Sequence, residues 1–421
     1  MKKNEIKGLD ITYYTETLEN GFEIILVPML DKKNYFITYA TKFGSDVTTY
    51  ISSETKKEVR LIDGIAHFLE HKMFEQKDGV DPFTFYSKSG TGSNASTSFD
   101  NTQYICYGTK NFNENLKYLL DFVGEPYYTD ENVEKEKGII AEEINMYNDI
   151  PDYQLEMKLR ENIYSVSPRR FDIAGTVDSI QLITKEDLYD CYNNFYSPDN
   201  MFILVVGNFN MKEAQSIIYE KLEFQENKGK PKVKVEKEPL EVRKKSDKMT
   251  GPIEVPKLAE ALKLNAKELY KNSYELDLYL SMISNILFGT TSEFRDRMQE
   301  EKLVTDIYTE WERIEDIRTY YFMASSENPE KLLKEWKEVL KKKEIDEETF
   351  ERIKKVWIAN EVRMSDNVER VVDSCFDEII NYGEVKSDRM SIIRNLKYKE
   401  LQNILKKMDT DNISSMIMMP E

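Results

Sequence analysis

Two histidines are all the chain contains, and they stand four residues apart in the run His67-Phe68-Leu69-Glu70-His71. On an α-helix, positions i and i+4 share a face, so both imidazoles can turn toward one ion. Glu70 immediately precedes His71 and falls near the rim of that face. From there a carboxylate can take a proton from an attacking water without itself holding the metal. A catalytic zinc typically takes three protein ligands and keeps a fourth position open. The run therefore predicts a hydrolytic Zn2+ site with His67 and His71 as ligands and Glu70 as general base.

The third ligand must come from elsewhere, and an acidic residue on another helix is expected. The segment Val-Glu-Lys-Glu-Lys-Gly-Ile-Ile-Ala-Glu-Glu-Ile-Asn-Met-Tyr-Asn-Asp (133–149) supplies candidates. Glu136 and Glu143 are seven apart, two helical turns, and share a face with Ile140 between them. Glu142 lies about 100° away from Glu143 around the helix. Glu143 is therefore expected to bind the metal, and Glu136 to act as a further carboxylate that orients a ligand and raises its basicity.

These residues need elements to hold them. Residues 63–75, Asp-Gly-Ile-Ala-His-Phe-Leu-Glu-His-Lys-Met-Phe-Glu, read as a helix, with Asp63 placed to cap it. Before it, Gly-Phe-Glu-Ile-Ile-Leu-Val-Pro-Met and Tyr-Phe-Ile-Thr-Tyr-Ala-Thr-Lys-Phe-Gly read as strands. After it, Thr-Ser-Phe-Asp-Asn-Thr-Gln-Tyr-Ile-Cys-Tyr-Gly (97–108) reads as one further strand. Helices are then expected at 111–125, from Asp130 to about Asn148, from Asp152, and at 184–193. Residues 201–209 form a buried strand. Between about 225 and 251 the text turns lysine-rich, with two prolines and few bulky apolar residues, and reads as a connection whose parts can pair as strands. The remainder again mixes helices with strands such as Thr-Tyr-Tyr-Phe-Met-Ala-Ser-Ser and Ser-Ser-Met-Ile-Met-Met-Pro.

Length and composition bound the answer. A chain of 421 residues predicts two domains. The expected division is a metal-binding catalytic domain at 1–230, a linker at 231–251 and a second domain without metal at 252–421. A formal charge of −18 with 32% charged residues disfavours nucleic acid or an anionic membrane as partner. No apolar run approaches a membrane span, and the N-terminal lysines have no apolar stretch behind them. Cys106, Cys191 and Cys375 are few, odd in number and far apart, which predicts reduced thiols in a cytoplasmic protein.

At the metal residues the chain resembles the insulinase/pitrilysin family of inverted zincins, whose signature is His-x-x-Glu-His followed by a distant Glu. The likeness extends to Lys-Phe-Gly-Ser-Asp-Val, to the Gly-Thr-Gly-Ser-Asn-Ala-Ser-Thr run (90–97), to 133–152, to 173–209 and to the second half. In length it looks like the half-size bacterial branch. More narrowly it is similar to a subgroup linked with aminopentanol modification of elongation factor P, with bacteriocin-maturation peptidases as near relatives. The resemblance implies an α+β fold of two homologous α/β sandwich domains, each a mainly antiparallel sheet packed with helices. It implies a zinc endopeptidase with His67, His71 and Glu143 as metal ligands, Glu70 as catalytic base and Glu136 as the additional acidic residue of the catalytic set. It implies that a peptide substrate adds as a strand at the edge carrying Asn94 and Ala95.

One departure concerns partners. Members that work alone carry an Arg and a Tyr, seven apart, in the second half. Aligned on Ser292, those positions fall on Gln299 and Asp306, while Arg295, Arg297 and Tyr308 are out of register. The resemblance then implies a heterodimer with a homologous subunit that lacks the zinc motif and carries the Arg/Tyr pair. The rival is a non-catalytic peptide-binding or scaffold subunit, which has no physical need for Glu70.

Overall fold

Every residue of Met201–Gly207 is buried, and the run is apolar from end to end, the pattern of a strand covered on both faces. In the computed structural model, which describes residues 1–421, this strand sits at the centre of a seven-stranded sheet. From one edge to the other the order is Lys2–Ile6, Ile11–Thr17, Glu23–Pro28, Met201–Gly207, Tyr35–Thr41, Thr102–Gly108 and Gly92–Thr97. All neighbours are antiparallel except Glu23–Pro28 and Met201–Gly207, which run parallel. Met201, Ile203 and Val205 point into the main core with Leu116 and Leu119 of the helix Phe112–Gly124. Phe202, on the opposite face, meets Phe376 of the helix Val368–Tyr382.

A second sheet has five strands in the order Ser246–Gly251, Ile413–Pro420, Lys257–Asn265, Ile317–Ser325 and Asp306–Ile314. Only its first pair is parallel. One face packs around Phe288, Phe322 and Trp336. The other receives the helix Pro151–Ile163, whose Leu155, Leu159 and Ile163 lie on Ala259, Ala261, Tyr321 and Met416. The expected α+β architecture, two mainly antiparallel sheets each packed with helices, is thus present.

The chain forms two compact units, and each takes one stretch from the far half of the sequence. The first contains Met1–Asn145, Asp172–Val235 and Glu361–Arg389; the second contains Met146–Phe171, Glu236–Asn360 and Met390–Glu421. The helices Val368–Tyr382 and Pro151–Ile163 are thus exchanged across the lysine-rich connection. Parts of that connection do pair: Lys232–Val233 joins Thr49–Ile51 in a small three-stranded sheet, and Ser246–Gly251 joins the five-stranded one. No helix is long and apolar enough to cross a membrane. The three cysteines are buried and free.

The stretch 97–108, expected as one strand, is corrected. Gly92–Thr97 and Thr102–Gly108 are two strands of a hairpin, and the backbone N–H of Ser98 donates to the Asn101 carbonyl across the turn (2.8 Å). The Ser-Phe-Asp-Asn segment is the turn itself, as its Asp-Asn pair allows.

Candidate metal centre

The helix Ile65–Met73 is buried almost all round: Ile65, Ala66, Phe68, Leu69, Glu70, Lys72 and Met73 are enclosed, and only His67 and His71 keep partial exposure. The expected cap at Asp63 is corrected. The N-cap is Gly64, with φ of 93° and no side-chain cap bond. Asp63 instead offers its carbonyl to the Ser179 hydroxyl (2.8 Å). Close approach explains the glycine. A Cβ on Gly64 would lie 2.3 Å from the Ala174 carbonyl oxygen, and one on Gly175 would lie 2.5 Å from the Asp63 carbonyl oxygen. The entry to the helix Ile65–Met73 is therefore set by two glycine-permitted backbone contacts rather than by a polar cap.

The helix Asp130–Asn148 buries Val133, Glu136, Ile140 and Ile144, at spacings of three, four and four that define one face. Glu136 is the one carboxylate in that otherwise apolar stripe. Glu143 is partly exposed beside it, and Glu142 faces solvent. The helical register expected for these three acids is the one found.

The two helices bring the predicted ligands together. His71 Nε2 lies 3.3 Å from Glu143 Oε2, and His67 Nε2 lies 3.8 Å from Glu143 Oε1. One ligand atom from each of His67, His71 and Glu143 falls within 4.8 Å of the others. The other ring nitrogen of His71, Nδ1, donates to Glu136 Oε1 (3.0 Å), which fixes the ring so that Nε2 faces Glu143. His67 Nδ1 is buried without a hydrogen-bond partner.

Electrostatics fit a cation at this point. Burial, with the charge of His71 beside it, pushes His67 down to about 4, so its imidazole is neutral and keeps a lone pair. Burial also opposes the charge on His71, but hydrogen bonds to Glu136 and Glu143 overcome it and push that ring up to about 10. Glu143 is held below the usual carboxylate range by its bond to His71. Glu136 is also lowered: burial opposes this, and His71 and Lys72 outweigh it. Without metal, a proton on His71 balances the carboxylates. Two imidazoles and one carboxylate, converging and partly open to solvent, form a donor set that suits zinc.

Glu70 is buried next to this cluster, close enough for the charges of His71 and Glu143 to act on it, and burial pushes its carboxyl up. Thr97 holds it: the hydroxyl donates to Glu70 Oε2 (2.9 Å). Sequence reasoning missed Thr97, although it closes the 90–97 run. Thr97 ends Gly92–Thr97, the outermost strand of the seven-stranded sheet, which lies against the metal helix. Asn94 is exposed and Ala95 half-buried on that strand. The Ala95 N–H is occupied by its own neighbour, donating to Asn94 Oδ1 (3.0 Å).

In the second unit, Gln299 and Asp306 are exposed, and Asp306 accepts from the Thr305 hydroxyl (2.9 Å). The out-of-register candidates are engaged where they stand. Arg295 donates to the Ile307 carbonyl, Arg297 to Glu335 (2.6 Å), and Tyr308 to Glu310 (2.7 Å).

Two family models match the chain. Residues 38–177 match the one described as insulinase (peptidase family M16), and residues 182–356 match the peptidase M16 inactive domain. The chain is 38% identical over 318 residues to the uncharacterized zinc protease YmfH of Bacillus subtilis, covering 73% of each chain. A second Bacillus subtilis relative, the uncharacterized zinc protease YmxG, is 27% identical over 71% of this chain and 70% of its own. Among solved structures, a putative M16-like peptidase from Alicyclobacillus acidocaldarius superposes with a TM-score of 0.92 at 30% identity, over 99% of this chain and all of that one. With its His-x-x-Glu-His helix, its distant glutamate and these likenesses, the chain belongs to the insulinase (M16) family of peptidases.

Proposed function

We propose that the chain is a zinc-dependent endopeptidase that hydrolyses peptides or unfolded segments. The reading rests above all on the convergence of ligand atoms from His67, His71 and Glu143 within 4.8 Å, with Glu70 fixed beside them by Thr97. His67, His71 and Glu143 would hold zinc, which would supply Lewis acidity toward a water and the scissile carbonyl. Glu70 takes the proton of the attacking water and returns it to the leaving amine. Glu136 is a positioning residue that acts through His71.

The peptide adds as a strand along Gly92–Thr97, where backbone pairing tolerates varied sequences. Asn94 and Ala95 form that edge, and a substrate strand would displace the Asn94 side chain from the Ala95 N–H. The halves 1–230 and 252–421 are read as homologous, the first binding metal and the second not. Three buried free thiols fit a cytoplasmic site of action.

A homologous partner completes the enzyme. Gln299 and Asp306 stand where an Arg and a Tyr are expected to steady developing negative charge, and losing one such donor costs about 10²–10³ in rate. A homodimer does not repair this, since both copies carry the same residues. The test assays the chain alone and with a homologue that lacks the zinc motif. Full activity of the lone chain, unchanged by the homologue, would refute the heterodimer and leave the zinc chemistry standing.

A further inference from the structure

Lys72 follows the second histidine directly, and it is the only lysine on the metal helix. Its side chain is wholly buried, which is rare for a lysine and costly unless its charge is met. The ammonium meets three groups. It donates to Glu75, just past the end of its own helix, and to the Asn132 carbonyl (3.1 Å) in the first turn of Asp130–Asn148. It also lies 3.7 Å from Glu136 Oε2, while the other oxygen of that carboxylate receives His71 Nδ1 at 3.0 Å. Lys72 thus bridges the helix that carries both histidines and the helix that carries Glu136 and Glu143.

We propose that Lys72 is a positioning residue of the metal centre, holding Glu136 against His71. The inference rests on the zinc reading above and adds a residue to it. Glu136 has two oxygens with opposed duties, one toward an imidazole and one toward an ammonium, so its rotamer is pinned from both sides. Buried charges are weakly screened, and a carboxylate left with one partner in such a place reorients or admits water. His71 then loses the bond that aims Nε2 at Glu143.

Burying a lysine for packing alone predicts something different. Its loss would lower the melting temperature, and zinc affinity would follow only insofar as the protein unfolds. Positioning through Glu136 predicts that the effect of Lys72 on metal binding depends on Glu136. The experiment measures the zinc dissociation constant of the full-length protein by competition with a chromophoric chelator, together with the melting temperature of the metal-free form. Four proteins are compared: wild type, Lys72→Met, Glu136→Gln and the double variant.

Each single variant is expected to bind zinc about 10–100-fold more weakly. The double variant is expected to bind no more weakly than Glu136→Gln within about two-fold, since Lys72 has then lost the group it positions. Lys72→Met within two-fold of wild type, or single losses that multiply in the double variant, would overturn the proposal. If Lys72→Met does not fold, Lys72→Gln carries the same comparison, keeping a donor for Asn132 without the charge. Wild type without zinc would refute the metal reading itself, an outcome separate from either of these.

Discussion

Glu260 lies fully buried on the central strand of the five-stranded sheet, Lys257–Asn265. The Ser415 hydroxyl donates to its Oε2 (2.6 Å), and Oε1 has no partner. Burial pushes the carboxyl up from 4.5 to about 8, against the Ser415 hydrogen bond and the charge of Lys337. Between those values the folded protein keeps the proton that the unfolded chain gives up, so stability falls as pH rises through that window. One proton corresponds to about 1.36 kcal/mol per pH unit. Glu260 then weakens the fold by less than about 1 kcal/mol at pH 5 and by about 4 kcal/mol at pH 8. Glu260→Gln removes the titration and keeps the shape and the Ser415 bond. Urea unfolding of wild type and variant at pH 5, 6, 7 and 8 measures the difference, in which all other groups cancel. With a slope of about 2 kcal/mol per molar urea, the variant's midpoint should exceed wild type by about 2 M at pH 8 and should nearly meet it at pH 5. A midpoint difference that stays constant from pH 5 to 8 would refute the reasoning.

Other outcomes follow from the same contacts. Glu143→Gln should strip or strongly weaken zinc while Glu142→Gln leaves it in place, as read by metal analysis after dialysis; the reverse ranking would contradict the helical register. Thr97→Val should retain zinc and lower kcat about 10-fold or more, because a hydrogen bond to a carboxylate is worth about 1.5–3 kcal/mol; unchanged kcat would release Glu70 from that contact. Gly64→Ala should destabilise the protein by about 1–3 kcal/mol from its positive φ alone, and more from the Ala174 carbonyl. An unaltered melting temperature would mean that the helix entry is not set there.

The clustering of His67, His71 and Glu143 was legible because a helix turns two exact spacings into geometry. His67 and His71 lie four apart, and Glu136 and Glu143 lie seven apart, so each pair shares a face whatever surrounds it. Ile140 between the acids marked the buried side and placed Glu142 in solvent. The strand 201–209 was legible for a similar reason, as an unbroken apolar run. What escaped depended on contacts distant in sequence. Asp63 looked like a cap, yet Gly64 decides the helix start through its approach to Ala174, more than a hundred residues away. Thr97 meets Glu70 only because a hairpin folds back beside the metal helix. The small polar residues of 92–97 gave little strand signal and take that form by pairing with 102–108. The exchange of helices 151–163 and 368–382 between the units was equally hidden, since no local pattern records which sheet a helix covers.

The most direct test of the zinc-hydrolase account compares wild type with Glu70→Gln for zinc content and for cleavage of a peptide library, each alone and with a homologue that lacks the zinc motif. The account predicts about one zinc per chain in both proteins, with turnover abolished only in the variant, because the amide cannot accept the water's proton. Wild type without zinc, or a zinc-loaded Glu70→Gln that cleaves within a few-fold of wild type, would contradict it.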